Sequence, residues 1–242
     1  MNLPQGFLAF FVPLALVLAF GIHWLSLRPV KTSSERLPIS RGAYLGLSSV
    51  LLLLAWSLVL VRGPGSLGLI LVALGMTASF GGDFCNLQFP GASRPLRQPL
   101  AFGIGAFMLA QVLYIAAFLS RLPLAELRSR GGFLPILALL VIAPALIFRL
   151  RVYSPDRPRA LMVLAFVYGF LLGAMAAVAI SAAIARGGAW IGIGCGAAFF
   201  MVSDAVFGNT TIRGVHPVWE FQIPWITYLL AQALLITGFA LA

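Results

Sequence analysis

The chain has 242 residues, 61% of them apolar and 9% charged, with a mean hydropathy of +1.03. That composition excludes a soluble globular domain and indicates an integral membrane protein. A net charge of +10 would point a soluble protein toward nucleic acid. Here the arginines punctuate apolar runs, so they report topology and contact with anionic headgroups, and no nucleic-acid partner is expected.

A membrane-crossing helix needs about 20 apolar residues. The sequence therefore predicts an all-α membrane protein with eight transmembrane helices, at about 3–27, 39–61, 66–87, 98–120, 132–148, 159–185, 189–209 and 218–242. The first run lacks a basic leader and a cleavage site, so it reads as a retained helix. Pro13, Pro135 and Pro144 fall inside predicted helices and can kink them. Short loops rich in Gly, Pro and Arg join the runs, and no stretch fits a soluble domain. Two cysteines, Cys85 and Cys195, offer neither a disulfide framework nor metal-ligand spacing.

The loops after the first, third, fifth and seventh runs hold Arg28, Lys31, Arg36, Arg41, Arg94, Arg97, Arg149, Arg151, Arg157, Arg159 and Arg213. The opposite side holds Arg62, Arg121, Arg128, Arg130 and Arg186. The richer side is expected in the cytoplasm, with both termini outside, in a membrane of the bacterial inner type.

Two acids lie well inside apolar runs: Asp83 in GMTASFGGDF and Asp204 in GAAFFMVSDAVFG. A carboxylate there is costly and reads as functional by default. The two are 121 positions apart, half the chain. Gln111 and Gln232, Gly75 and Gly196, and Phe118 and Phe239 repeat that offset. This predicts a duplication of residues 1–121 and 122–242, each half an Asp helix followed by a Gln helix. Four helices per half is an even number, so the halves are expected to be parallel repeats about an axis along the membrane normal. That symmetry turns Asp83 and Asp204 toward one cavity near the cytoplasmic side. Glu35, Glu126 and Asp156 lie in arginine-bearing loops and read as solvated surface pairs. His216 and Glu220, split by Pro217, read as a loop anchor rather than a metal site.

Helical spacing adds neighbours on the same faces. Ser79 and Asn86 flank Asp83, and Ser203 adjoins Asp204. Tyr114 follows Gln111 by three residues, and Tyr228 precedes Gln232 by four. Arg94, Arg97 and Arg213, on the predicted cytoplasmic side, suit a substrate phosphate.

At these residues the chain resembles the YhhN family, which includes the animal lysoplasmalogenases. The resemblance rests on four motifs in order: Gly75-Met-Thr-Ala-Ser-Phe-Gly-Gly-Asp83, then Gly103 through Phe107 and Gln111 to Tyr114. Gly196-Ala-Ala-Phe-Phe-Met-Val-Ser203-Asp204 and Tyr228-Leu-Leu-Ala-Gln232 complete the set. One departure stands out: the histidine usual in the family's fourth helix is Gln111 here. An amide can hold a hydrogen bond but does not titrate near neutral pH.

The resemblance implies hydrolysis of the vinyl-ether bond of a lysoplasmalogen, with no metal or cofactor. The products are a fatty aldehyde and a glycerophospho-ethanolamine or -choline. An acid protonates the vinyl carbon, a negative charge stabilises the oxocarbenium ion, and a base directs water onto it. Two carboxylates sharing a proton suit that sequence, as in glycosidases. Asp83 and Asp204 are the expected catalytic pair. A lipid-binding protein or transporter on the same repeat is the competing reading; the absence of a proline break in either Asp helix weighs against transport.

Overall fold

The structure is a computed structural model that describes residues 33–63, 65–87, 99–129, 133–215 and 222–242. The predicted first helix, Arg94, Arg97, and the His216–Glu220 pair lie outside the described residues.

Among the described residues every regular element is helical. They are α1 (Ser33–Arg62), α2 (Leu67–Asn86), α3 (Pro99–Arg121), the short α4 (Leu124–Ser129), α5 (Phe133–Ile147), α6 (Arg159–Arg186), α7 (Ala189–Phe207) and α8 (Gln222–Leu241). Six of them contain segments long and apolar enough to cross a membrane: Tyr44–Arg62, Leu67–Asn86, Pro99–Arg121, Arg159–Arg186, Ala189–Ile212 and Ile223–Leu241. The chain is thus an integral membrane protein. The six spans match predicted runs. The expected fifth run appears as α5, whose α-helical part has 15 residues and continues into a π-helical turn, Phe148–Val152. A second π turn, Gly208–Ile212, ends α7.

In lipid, helices associate through close packing and hydrogen bonds rather than through apolar burial from water. The tightest partners are α2 with α3 and α7 with α8. Glycine makes both approaches possible. A methyl on Gly75 would sit 2.7 Å from the Tyr114 ring, and one on Gly196 would sit 3.0 Å from the Ala231 carbonyl oxygen. Further contacts join α1 to α2, α6 to α7, α3 to α6, and α1 to α8.

One end of the bundle is packed shut. Phe118, Trp190 and Phe239 meet there at centroid distances of 6.2 to 6.5 Å, and the Arg121 guanidinium lies 4.1 Å from the Phe239 ring centre. Arg62 donates to the Ala240 carbonyl at 3.2 Å and Arg121 to the Phe239 carbonyl at 2.6 Å. These are carbonyls in the last turn of α8, which has no next turn to satisfy them. Arg186 grips Glu126 with two bonds, of 2.8 and 3.0 Å. Glu126 thus forms the surface ion pair expected of it, with Arg186 as the partner. The opposite end, bearing Arg149, Arg151, Arg157 and Arg213, holds a cavity.

Candidate active site

The cavity measures about 380 Å³. Its walls come from one end of every long helix: Tyr44 of α1, Asp83 and Asn86 of α2, Phe107 of α3, Tyr168 of α6, Asp204 of α7 and Tyr228 of α8. Both expected carboxylates therefore open onto one space, as do Asn86, Ser203 and Tyr228.

Asp83 lies near the C-terminus of α2 and is 3% exposed. Three hydroxyls converge on it. Tyr44 donates to Oδ1 at 3.1 Å; Ser48 and Tyr228 donate to Oδ2 at 2.6 and 3.0 Å. Tyr44 and Ser48 are four residues apart on α1, hence on one face. A carboxylate accepts but cannot donate when ionised, so three convergent O–H groups suit an anion. Aromatic edges shield the group from lipid. Tyr44 packs against Trp225 at 4.4 Å between centroids, and Tyr228 meets Phe200 and Phe107 edge-on at 5.4 and 5.8 Å.

Asp204 is held differently. It is half-buried and accepts one hydroxyl from another helix, that of Tyr168 on α6. The Tyr168 oxygen in turn accepts from Gln111 Nε2 at 3.5 Å. An amide–phenol–carboxyl chain thus runs from α3 through α6 to α7. Gln111 itself is fully buried and behind the cavity wall. Its amide is linked to Asp204 through Tyr168.

Other expected residues are structural neighbours of the cavity. Tyr114 donates to Gln232 Oε1 at 2.6 Å, tying α3 to α8, and both are fully buried. Ser203 donates to the Pro224 carbonyl at 2.8 Å and so fixes α7 against α8 directly beside Asp204. Ser79 is buried in α2, off the cavity wall. Arg213 donates to the Leu150 carbonyl rather than facing the cavity. Among the described residues, the cation on the cavity wall is Arg157.

Tyr44, Ser48, Tyr168 and Arg157 were not singled out from the sequence. One signal was available for the tyrosines. Of the five in the chain, Tyr44, Tyr114, Tyr168 and Tyr228 all lie within helices. Tyrosines in membrane proteins favour the two interfaces, so a set displaced into the spans marks hydroxyls with internal partners.

The family model described as the YhhN family matches residues 43–239. No curated protein and no solved structure matches the chain.

Proposed function

Since the chain belongs to the YhhN family, we propose that it is an intramembrane hydrolase of the vinyl-ether bond of lysoplasmalogen or a similar ether lysolipid. It releases a fatty aldehyde and a glycerophospho-ethanolamine or -choline. The observation that supports this most directly is a pair of carboxylates in unequal surroundings on one membrane-embedded cavity.

The inequality assigns roles. Asp83, saturated by three hydroxyl donors, is the fixed negative charge. Asp204, with its single donor from α6 and an open face, is the proton carrier. Asp204 protonates the vinyl carbon farther from the ether oxygen. The π electrons form the new C–H bond, and the oxygen lone pair makes the adjacent C–O bond double. The Asp83 charge stabilises that oxocarbenium ion. Asp204, now ionised, takes a proton from a water as the water oxygen bonds to the cationic carbon. The hemiacetal then collapses: Asp204 gives its proton to the glycerol oxygen as that C–O bond breaks, the hydroxyl oxygen's lone pair forms the C=O bond, and the hydroxyl proton passes back to Asp204 as the aldehyde leaves. One water is consumed and the proton is recovered. Tyr168 steers Asp204 and Gln111 steers Tyr168.

We also infer that the chain is a parallel duplication of residues 1–121 and 122–242. Exchanging the halves carries the α3–α6 contact onto the α8–α1 contact. It carries the Gly75–Tyr114 approach onto that of Gly196 and Leu235. Phe107 and Tyr228 are repeat mates, and they touch each other, as mates beside a twofold axis do. The same exchange accounts for the inequality. Tyr228 gives Asp83 a hydroxyl, whereas its mate Phe107 has none to give Asp204. The cavity end carries the larger cation count, which supports a cytoplasmic mouth in an inner-membrane protein.

The test is aldehyde release by the detergent-purified protein from a defined 1-alkenyl lysophospholipid, with the saturated 1-alkyl ether as control. Aldehyde from the first and none from the second is the expected result. Binding of both lipids with no aldehyde from either would make this a lipid-binding protein or transporter.

A further inference from the structure

Among the described residues Arg157 is the cation that lines the cavity, and it is held at the cavity wall itself. Its Nε donates to the Ile212 carbonyl at 2.9 Å and its Nη2 to the Thr211 carbonyl at 3.2 Å. Both acceptors belong to the π turn that ends α7. A guanidinium has five N–H donors in one plane, so three stay uncommitted among the described residues. Arg213 ties the same region the other way, donating to Leu150 of the preceding π turn. Gly208 lets the two turns touch: a methyl there would sit 2.8 Å from Val152. The guanidinium of this exposed residue is therefore tethered by two carbonyls of one turn, which lowers the entropy lost on binding an anion.

Thr211, which holds Arg157, lies seven residues after Asp204, and Arg157 and Asp204 both line the cavity. Part of the wall, including Ile104, Phe148, Leu172 and Met201, is apolar and suits a long alkyl chain.

We propose that Arg157 is the phosphate anchor of the cavity, binding the phosphodiester of a single-chain glycerophospholipid. The anchor sets the register in which the ether carbon meets Asp204. This rests on the functional reading above, but its test needs no turnover.

Binding of a non-cleavable 1-alkyl lysophosphocholine to the full-length purified protein would be measured by calorimetry. It would be compared with the matching 1-alkylglycerol, which lacks the phosphate, and with inorganic phosphate. Wild type should bind the lysophosphocholine at least 10-fold more tightly than the alkylglycerol. Arg157→Gln should abolish that preference while leaving alkylglycerol binding unchanged. Arg157→Lys should retain part of it, because the charge survives and the two-carbonyl anchorage does not. An unaltered preference in Arg157→Gln, or an equal loss for both lipids, would overturn the assignment and leave Arg157 as a clasp on the π turn. Inorganic phosphate displacing the lysophosphocholine at equal concentration would overturn it in favour of a free-anion site. Failure to hydrolyse any vinyl ether would sink the enzymatic reading and leave this result standing.

Discussion

Replacing each carboxylate by its amide separates the two roles. Asparagine keeps the shape of aspartate but cannot carry the proton. Asp204→Asn should lower aldehyde release by about two to four decades, the usual contribution of a positioned acid or base. Only the Tyr168 hydroxyl need adapt on a neighbouring helix, and it already accepts from Gln111. Its folding stability should therefore change by no more than about 0.5 kcal/mol. Asp83→Asn is a different perturbation. Two of its donors, Ser48 and Tyr228, meet Oδ2 and can be kept by the amide oxygen. The amide nitrogen then faces Tyr44, whose proton loses its acceptor in a buried site. A stranded buried donor costs about 1–3 kcal/mol. The same substitution removes the charge that steadies the cation, so turnover should fall as well. The assay is aldehyde release by the purified variants at substrate saturation, read beside their thermal unfolding. Asp83→Asn should be both inactive and clearly less stable, Asp204→Asn inactive and native-like. Equal melting shifts in the two variants, or a fully active Asp204→Asn, would refute the division of roles.

Tyr228→Phe, which removes one of the three hydroxyls on Asp83, should cost about tenfold in turnover, the worth of one buried hydrogen bond; an unchanged rate removes the Tyr228 hydroxyl from the proposed mechanism. Gln111→His should preserve activity and add an inflection near neutral pH, since imidazole titrates there and an amide does not; an unaltered pH–rate profile would sever the link through Tyr168. Gly75→Ala should destabilise by about 1–3 kcal/mol through overpacking on Tyr114, while Gly105→Ala, with nothing within 4 Å, should not; equal unfolding curves would contradict the close α2–α3 approach. A reporter fused to the C-terminus should read the outside of the cell membrane, and a cytoplasmic signal would invert the orientation.

Much of the architecture was legible because bilayer thickness sets the length of an apolar run. Six spans match predicted runs, while the short α4 and both π turns fall below the resolution of such counting. Asp83 and Asp204 stood out because charge within a span is expensive. Their hydroxyl partners did not. Tyr44, Ser48 and Tyr168 depend on how each helix is rotated about its axis, and a helix apolar on all sides gives no such information. Arg157 was missed for a related reason. Every arginine on its side looked equivalent as a charge, and it is the contact with the π turn that ends α7 that puts Arg157 on the cavity wall.

On the proposed function, the packed-shut end of the bundle has a kinetic consequence. Among the described residues Phe118, Trp190 and Phe239 fill that end, so substrate and product would share the end beside Arg157. A long-chain product occupying the apolar wall bars the next arrival, and so competes with it directly. Inhibition by free fatty aldehyde should then be competitive, and its strength should rise with chain length as each added methylene meets more of that wall.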